Sequence, residues 1–229
     1  MLAMLSDPGF WIGLLEIIGV NILLSGDNAV VIALAARSLR GKRQKQAIFW
    51  GSAAAVVMRV ILTVFAVKLL MLPSLKIIGG LLLFWIAVKL LLPEEGAGKG
   101  IQGSEHLISA IKIILIADLV MSLDNVIGVA AAAKGNITLL ILGLAISVPL
   151  IVFGSTLILK LMQRFSFIIM LGAALLGYIA GELLVTDPLV VEWIKLRTPF
   201  ASIVLPICCA LVVVVMGKWL SRGPSAGEA

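Results

Sequence analysis

Charged residues are scarce in this sequence. Only 13% of its 229 positions are Asp, Glu, Lys or Arg, against about 25% in a typical soluble domain. Hydrophobic residues make up 62%, which excludes an ordinary water-soluble domain and points to a bilayer protein. Cysteine and histidine are almost missing: Cys208, Cys209 and His106 are all there is. Neighbouring cysteines lack both disulfide geometry and the spacing of a zinc or redox motif, so both are expected to be small packing residues. His106 has no Cys or His companion and is expected to be solvated. No Walker motif, H-E-x-x-H or G-x-S-x-G occurs, which argues against ATP use by this chain, a zinc metalloenzyme and a nucleophilic hydrolase. The chain therefore reads as a non-enzyme with no prosthetic group. No basic residue precedes the first apolar run, which is also too long for a signal-peptide core, so it is expected to be a span.

What is present is apolar length. Seven stretches, approximately 10–36, 46–72, 74–92, 107–133, 137–160, 165–185 and 199–220, are long enough for membrane helices at roughly 20 residues each. Backbone groups in lipid must pair within the segment, and barrel strands would alternate, which these do not. The expected fold is an all-α polytopic membrane protein of seven transmembrane helices.

The formal charge is +6, but the basic residues sit mainly between apolar runs, so topology explains them and no nucleic-acid partner is expected. The densest cluster is Arg37, Arg40, Lys42, Arg43 and Lys45. With alternate loops on opposite sides, eleven of the 18 Lys and Arg fall on the side of this cluster and five on the other. Arg59 and Lys112 lie inside spans. The positive-inside rule then predicts an N-terminus outside and a C-terminus in the cytoplasm, the expected membrane being a bacterial inner membrane. The Gly-rich stretch 93–106 becomes a cytoplasmic linker.

The sequence repeats. Residues 16–36 align without gaps to 113–133, with seven of 21 positions identical, including a Ser-x-Asp-Asn match at Ser25/Ser122, Asp27/Asp124 and Asn28/Asn125. Residues 78–91 align to 171–184 at seven of 14 positions. Span one thus resembles span four, and span three resembles span six. A three-helix unit repeated after an odd number of spans is inverted, with its site expected near mid-membrane between repeats. The layout is a first repeat over 10–92, a second over 107–185 and a C-terminal helix over 199–220.

Chemistry is expected where polar groups enter the membrane at an energetic cost. Span one holds Glu16, Asn21, Ser25, Asp27 and Asn28; span four holds Asp118, Ser122, Asp124 and Asn125. Asn21, Ser25 and Asn28 share a helical face, as do Asp118, Ser122 and Asn125. Asp27 and Asp124 lie about 100° off that face in a regular helix of 3.6 residues per turn. The sequence therefore predicts that at least one of the two helices is broken near these residues, which Gly26 makes easier. Carboxylates, amide oxygens and carbonyls form a hard-cation donor set suited to Mn²⁺, Ca²⁺ or Mg²⁺. The alternative is interhelical hydrogen bonding that merely holds the bundle together. Arg59, deep in span two, is expected to pair with a carboxylate and to serve coupling or gating. Glu182, opposite Lys89 in the repeat, is a candidate proton or metal relay beside a plain snorkelling reading. Asp187, before Pro188 in an outside loop, reads as a turn former.

At LLSGDNAVVIALAAR (23–37), DLVMSLDNVIGVAAAA (118–133) and GYIAGELLVTDP (177–188), the sequence resembles the TerC family of integral membrane proteins. It lies nearest the branch described as bacterial metal exporters of the YjbE type. The resemblance covers nearly the whole chain outside the termini and linker. It implies Mn²⁺ export, with Asp27, Asn28, Asp124 and Asn125 as the core of the ion site, and Asn21 and Asp118 beside them. Asn21 departs from a family pattern that often has an acid there. The implied partners are the lipid bilayer and the transported metal, with a homo-oligomer left open. Alternatives are Ca²⁺/H⁺ exchange and a membrane scaffold that delivers metal to exported enzymes.

Overall fold

The computed structural model describes residues 8–69, 74–92, 103–133, 135–198 and 200–221, with some side chains at segment ends and that of Asp124 outside the description. Every regular element among them is an α-helix. In chain order these are α1 (Pro8–Leu24), α2 (Gly26–Ala36), α3 (Gly41–Leu69), α4 (Leu75–Leu91), α5 (Gly103–Ala133), α6 (Ile137–Arg164), α7 (Phe167–Thr186), α8 (Val191–Arg197) and α9 (Ala201–Ser221).

The helices α3, α5, α6, α7 and α9 are long and apolar enough to cross a membrane. A sixth crossing arises if α1 and α2 are one span, bent by 54° at Ser25. The remaining expected span, the third (74–92), corresponds to α4, which has 17 residues and rises only about 25 Å, short of the ~30 Å hydrocarbon core. Among the described residues five crossings, or six with the bent pair, are long and apolar enough by themselves. Most of the predicted linker, 93–102, lies outside the described residues. Its last part does not loop: α5 already begins at Gly103, so the half-buried His106 is helical.

The contacts group the chain into two compact units. In the first (1–72 and 104–160), Leu14 and Ile17 of α1, Val56 of α3, Val129 of α5 and Leu140 and Leu144 of α6 form one buried cluster. Here α6 meets α1 at Gly143, where a Cβ would lie 2.5 Å from Ile17 Cγ2; no other residue fits that approach. Gly51 of α3 lies against Ile114 of α5, and Arg59 lies further along against Ser122, so the two helices run in the same direction. Across the short α5–α6 turn Ala133 packs with Leu139 and Leu140, and α6 runs back.

In the second unit (73–103 and 161–229), α7 packs against both α4 and α9. Gly177 and Gly181 form a G-x-x-x-G stripe on α7, the small-residue device by which membrane helices approach closely. A Cβ on Gly181 would lie 2.5 Å from Pro206 Cα of α9. Asp187, read as an exposed turn former, is fully buried. One oxygen accepts from Leu189 N, while the other accepts from Lys76 N and Ile77 N and so caps the start of α4. Of the two cysteines, Cys209 is half-buried, whereas Cys208 is exposed and does not fit the packing expectation.

The outward residues of the spans are large and apolar, as at Leu15, Phe153, Leu171 and Val215. In water such faces would aggregate; in a bilayer they are solvated by acyl chains.

Candidate functional site

The polar residues of spans one and four meet inside the first unit, and Arg59 is at their centre. Its side chain is 1% exposed. Nη2 donates to Asp118 Oδ1 at 2.5 Å and forms the ion pair. Nη1 donates to Asn21 Oδ1 at 2.7 Å and Ser25 Oγ at 2.5 Å, and Nε donates to Ser122 Oγ at 3.0 Å. Each serine passes its own proton back along its helix: Ser25 Oγ donates to Asn21 Oδ1, and Ser122 Oγ donates to Asp118 Oδ2, both at 3.2 Å. The guanidinium is thus clamped by two repeat-equivalent pairs, Asn21/Ser25 and Asp118/Ser122. A planar fork suits this arrangement better than an ammonium would. Thr63 Oγ1 donates to Arg59 O at 2.7 Å, a back-bond one turn along α3.

The break in span one is explained by the residues around it. At Ser25 the chain makes a tight turn, Ser25 N donating to Ile22 O. In a regular helix Asn28 N would reach Leu24 O; here it donates to Asp27 Oδ1 at 2.8 Å. Asp27 thus accepts a free N–H within the first turn of α2, where a carboxylate is favoured by the helix dipole. The freed Leu24 carbonyl accepts Asn125 Nδ2 from α5 at 2.8 Å. The expectation that at least one span breaks at these residues holds for span one. Span four is continuously helical from Gly103 to Ala133.

Not every candidate joins the cluster. Asn28 is 2% exposed, yet among the described residues neither its Nδ2 nor its Oδ1 has a hydrogen-bond partner; the same is true of Asn21 Nδ2. Asp27 is half-buried. The Asp124 side chain lies outside the described residues. Glu16 is exposed on α1, and Glu182 is exposed on α7 in the second unit. Among the described residues no three His, Cys, Asp or Glu side chains come together as a metal cluster. Among the described side chains, the oxygens available here to a cation are those of Asp118 and Asp27 with the neighbouring amides and hydroxyls. Sequence reasoning found Arg59 and predicted a carboxylate partner for it, but not its contact with both halves. It also missed Asn125 as the cap of a neighbouring helix, because a broken carbonyl has no sequence signature.

The chain matches the TerC family, described as an integral membrane protein family, over residues 6–225. It is 45% identical over 181 residues to an uncharacterized membrane protein, YjbE, of Bacillus subtilis, covering 79% of this chain and 83% of that one. It is 25% identical over 201 residues to the inner membrane protein YgdQ of Escherichia coli, covering 77% and 84%, and 26% identical over 149 residues to the uncharacterized membrane protein YceF of Bacillus subtilis, covering 61% and 58%. No solved structure matches. With 220 of 229 positions inside one family match, the chain belongs to the TerC family of multi-pass integral membrane proteins.

Proposed function

We propose that this chain is a secondary transporter that exports a hard divalent cation, Mn²⁺ first among them, across a bacterial inner membrane. The observation that carries the reading is the buried Arg59–Asp118 cluster at the broken helix, with Asn21 Nδ2 inside it and both amide atoms of Asn28 just beyond the break, all three without a hydrogen-bond partner among the described residues. Polar atoms left unpaired in a membrane interior are costly, so a fold keeps them where another state or a ligand pairs them. Asp118 and Arg59 neutralise each other, and in this arrangement Arg59 stands where a dication would draw on the same oxygens. Cation entry then requires Arg59 to release Asp118, Asn21 and the two serines. That exclusion couples metal binding to a helix rearrangement.

The repeat suggests what rearranges. Asn125 caps the broken Leu24 carbonyl, and its counterpart Asn28 is unpaired. In the opposite state span four breaks near Met121, the counterpart of Leu24, and Asn28 caps that carbonyl. Two half-sites that exchange one break give alternating access to an inverted-repeat transporter. The seven-span, 3+3+1 layout with the N-terminus outside belongs to this proposal, with α4 counted as its third span.

The test is flux with purified protein in liposomes, comparing Mn²⁺, Ca²⁺ and Mg²⁺. Mn²⁺ flux above the others is expected; a Ca²⁺ preference would favour an exchanger for that ion, and no flux of any cation would favour a scaffold that delivers metal. Asp27→Asn and Asp124→Asn keep the side-chain size while removing a charged ligand, and each is expected to abolish Mn²⁺ export with normal membrane insertion. Full export by the double variant would reject the site.

A further inference from the structure

A second feature of the first unit lies away from this cluster. Between α3 and α6 runs a groove of about 500 Å³, lined by Phe49 on one side and by Val148, Val152, Phe153, Leu157 and Lys160 on the other. Its walls are apolar. Thr156 also lines it, but the hydroxyl donates to Val152 O at 2.7 Å and is satisfied within α6. From Val148 to Lys160 the groove follows about 18 Å of helix, close to half of the ~30 Å hydrocarbon core. Its length is that of one leaflet.

The end of the groove is charged. Lys160 closes it on α6. On α3, Lys45 and Lys42 lie one and two turns before Phe49 on the same face, at spacings of i−4 and i−7. The C-terminal half of α6 runs beside the start of α3, because α5 runs with α3 and α6 runs back, so the three lysines gather at one end. All three are exposed, and among the described residues none is in an ion pair. The segments 37–50 and 157–166 contain no Asp or Glu.

We infer that this groove is a binding site for an anionic phospholipid, with one acyl chain lying from Lys160 to Val148 and the phosphate held by Lys160 and Lys45. Basic residues at the membrane surface attract every anionic lipid weakly; a leaflet-deep apolar slot leading to two of them adds a fixed position. Phe153 is 70% exposed and Phe49 50% exposed, and both give the chain aromatic surface to lie on. The side of the membrane follows from the lysines alone.

The experiment is native mass spectrometry of the full chain with phosphatidylglycerol or phosphatidylcholine at equal mole fraction, together with crosslinking by a phosphatidylglycerol bearing a photoactivatable acyl chain. Phosphatidylglycerol should be retained in preference, and the crosslink should fall between Val148 and Leu157. In Lys45→Gln/Lys160→Gln its occupancy should drop about 25-fold, roughly fivefold per cation removed, while Lys45→Arg/Lys160→Arg retains it. Val152→Trp, which fills the slot, should remove the crosslink and leave the surface charge unchanged. Equal retention of the two lipids, or unchanged retention in the Gln pair, would overturn the inference, as would a crosslink that persists in Val152→Trp.

Discussion

The two polar half-sites use nearly the same residues, and the fold treats them differently. One has Asn21, Ser25, Gly26, Asp27 and Asn28 on a helix bent by 54°. The other has Asp118, Ser122, Leu123, Asp124 and Asn125 on a helix that runs unbroken from Gly103 to Ala133. Two substitutions separate them. Where the first half has Gly26 the second has Leu123, and helix interiors disfavour Gly by about 1 kcal/mol relative to good helix formers. Where the first has Asn21 the second has Asp118, so Arg59 meets an amide on one side and a carboxylate on the other. Two stretches of similar sequence thus fold differently within one chain. Small differences in sequence decide which half breaks and which half carries the charge.

The charge difference supports the largest expected effect. Asp118→Asn leaves Arg59 buried at 1% exposure without a counter-charge, and breaking a buried pair from one side costs about 3–5 kcal/mol. The variant should be the least stable of the point mutants, seen as a fall in thermal unfolding in detergent. Arg59→Met/Asp118→Leu removes both charges and should recover most of that stability, since apolar replacement of a whole pair is often neutral or better. Export should stay absent in both. A stable Asp118→Asn protein would mean that the ion pair is not formed in the populated state.

The amides give a smaller and more discriminating contrast. Asn125→Ala orphans the Leu24 carbonyl in a membrane interior, a loss of about 1–3 kcal/mol. Asn28→Ala removes a side chain that makes no hydrogen bond among the described residues, so the same truncation at the equivalent position should change stability far less. Both should impair export, Asn28→Ala because the opposite state loses its cap. Equal loss of stability in the two variants would mean that Asn28 is already partnered and that the asymmetry is not real.

How far the sequence revealed this arrangement depends on which feature is asked about. The apolar runs mark every long helix, because a span's length follows directly from bilayer thickness. The i, i+4, i+7 faces correctly join Asn21 with Ser25 and Asp118 with Ser122. The same rule fails at Asn28, because the break at Ser25 rotates α2 and takes Asn28 out of the Arg59 network. It also leaves Asp27 turned to the N–H of Asn28 in the first turn of its own helix. Asp187 shows the limit in another way: the Asp-Pro pair reads as a turn, but its second role depends on the start of α4, over a hundred residues earlier in the chain. Face rules hold within one unbroken helix; breaks and long-range caps need the fold.

The last comparison isolates the break itself. Gly26 is the first residue of α2, and a Cβ built on it meets no atom within 4 Å, so Gly26→Ala is sterically free and tests backbone preference alone. Ala favours a helix interior over Gly by about 1 kcal/mol. At the start of a helix that advantage is smaller, so the substitution favours the straight span by somewhat less than this, at most about fivefold in population. Spin labels at the exposed Leu15 and Ser38 bracket the bend and report it as a distance. The wild-type distribution should be dominated by the shorter, bent distance; Gly26→Ala should add a longer component, and Leu123→Gly should leave this pair unchanged while loosening α5. Export, if it is the function, should change severalfold in Gly26→Ala rather than disappear, since the residue has no side chain to offer a cation and its substitution acts on how often span one breaks. If the distance distribution does not respond to Gly26→Ala, the break is dictated by the Asn125 cap and the Arg59 clamp, and the Gly/Leu difference between the halves is incidental.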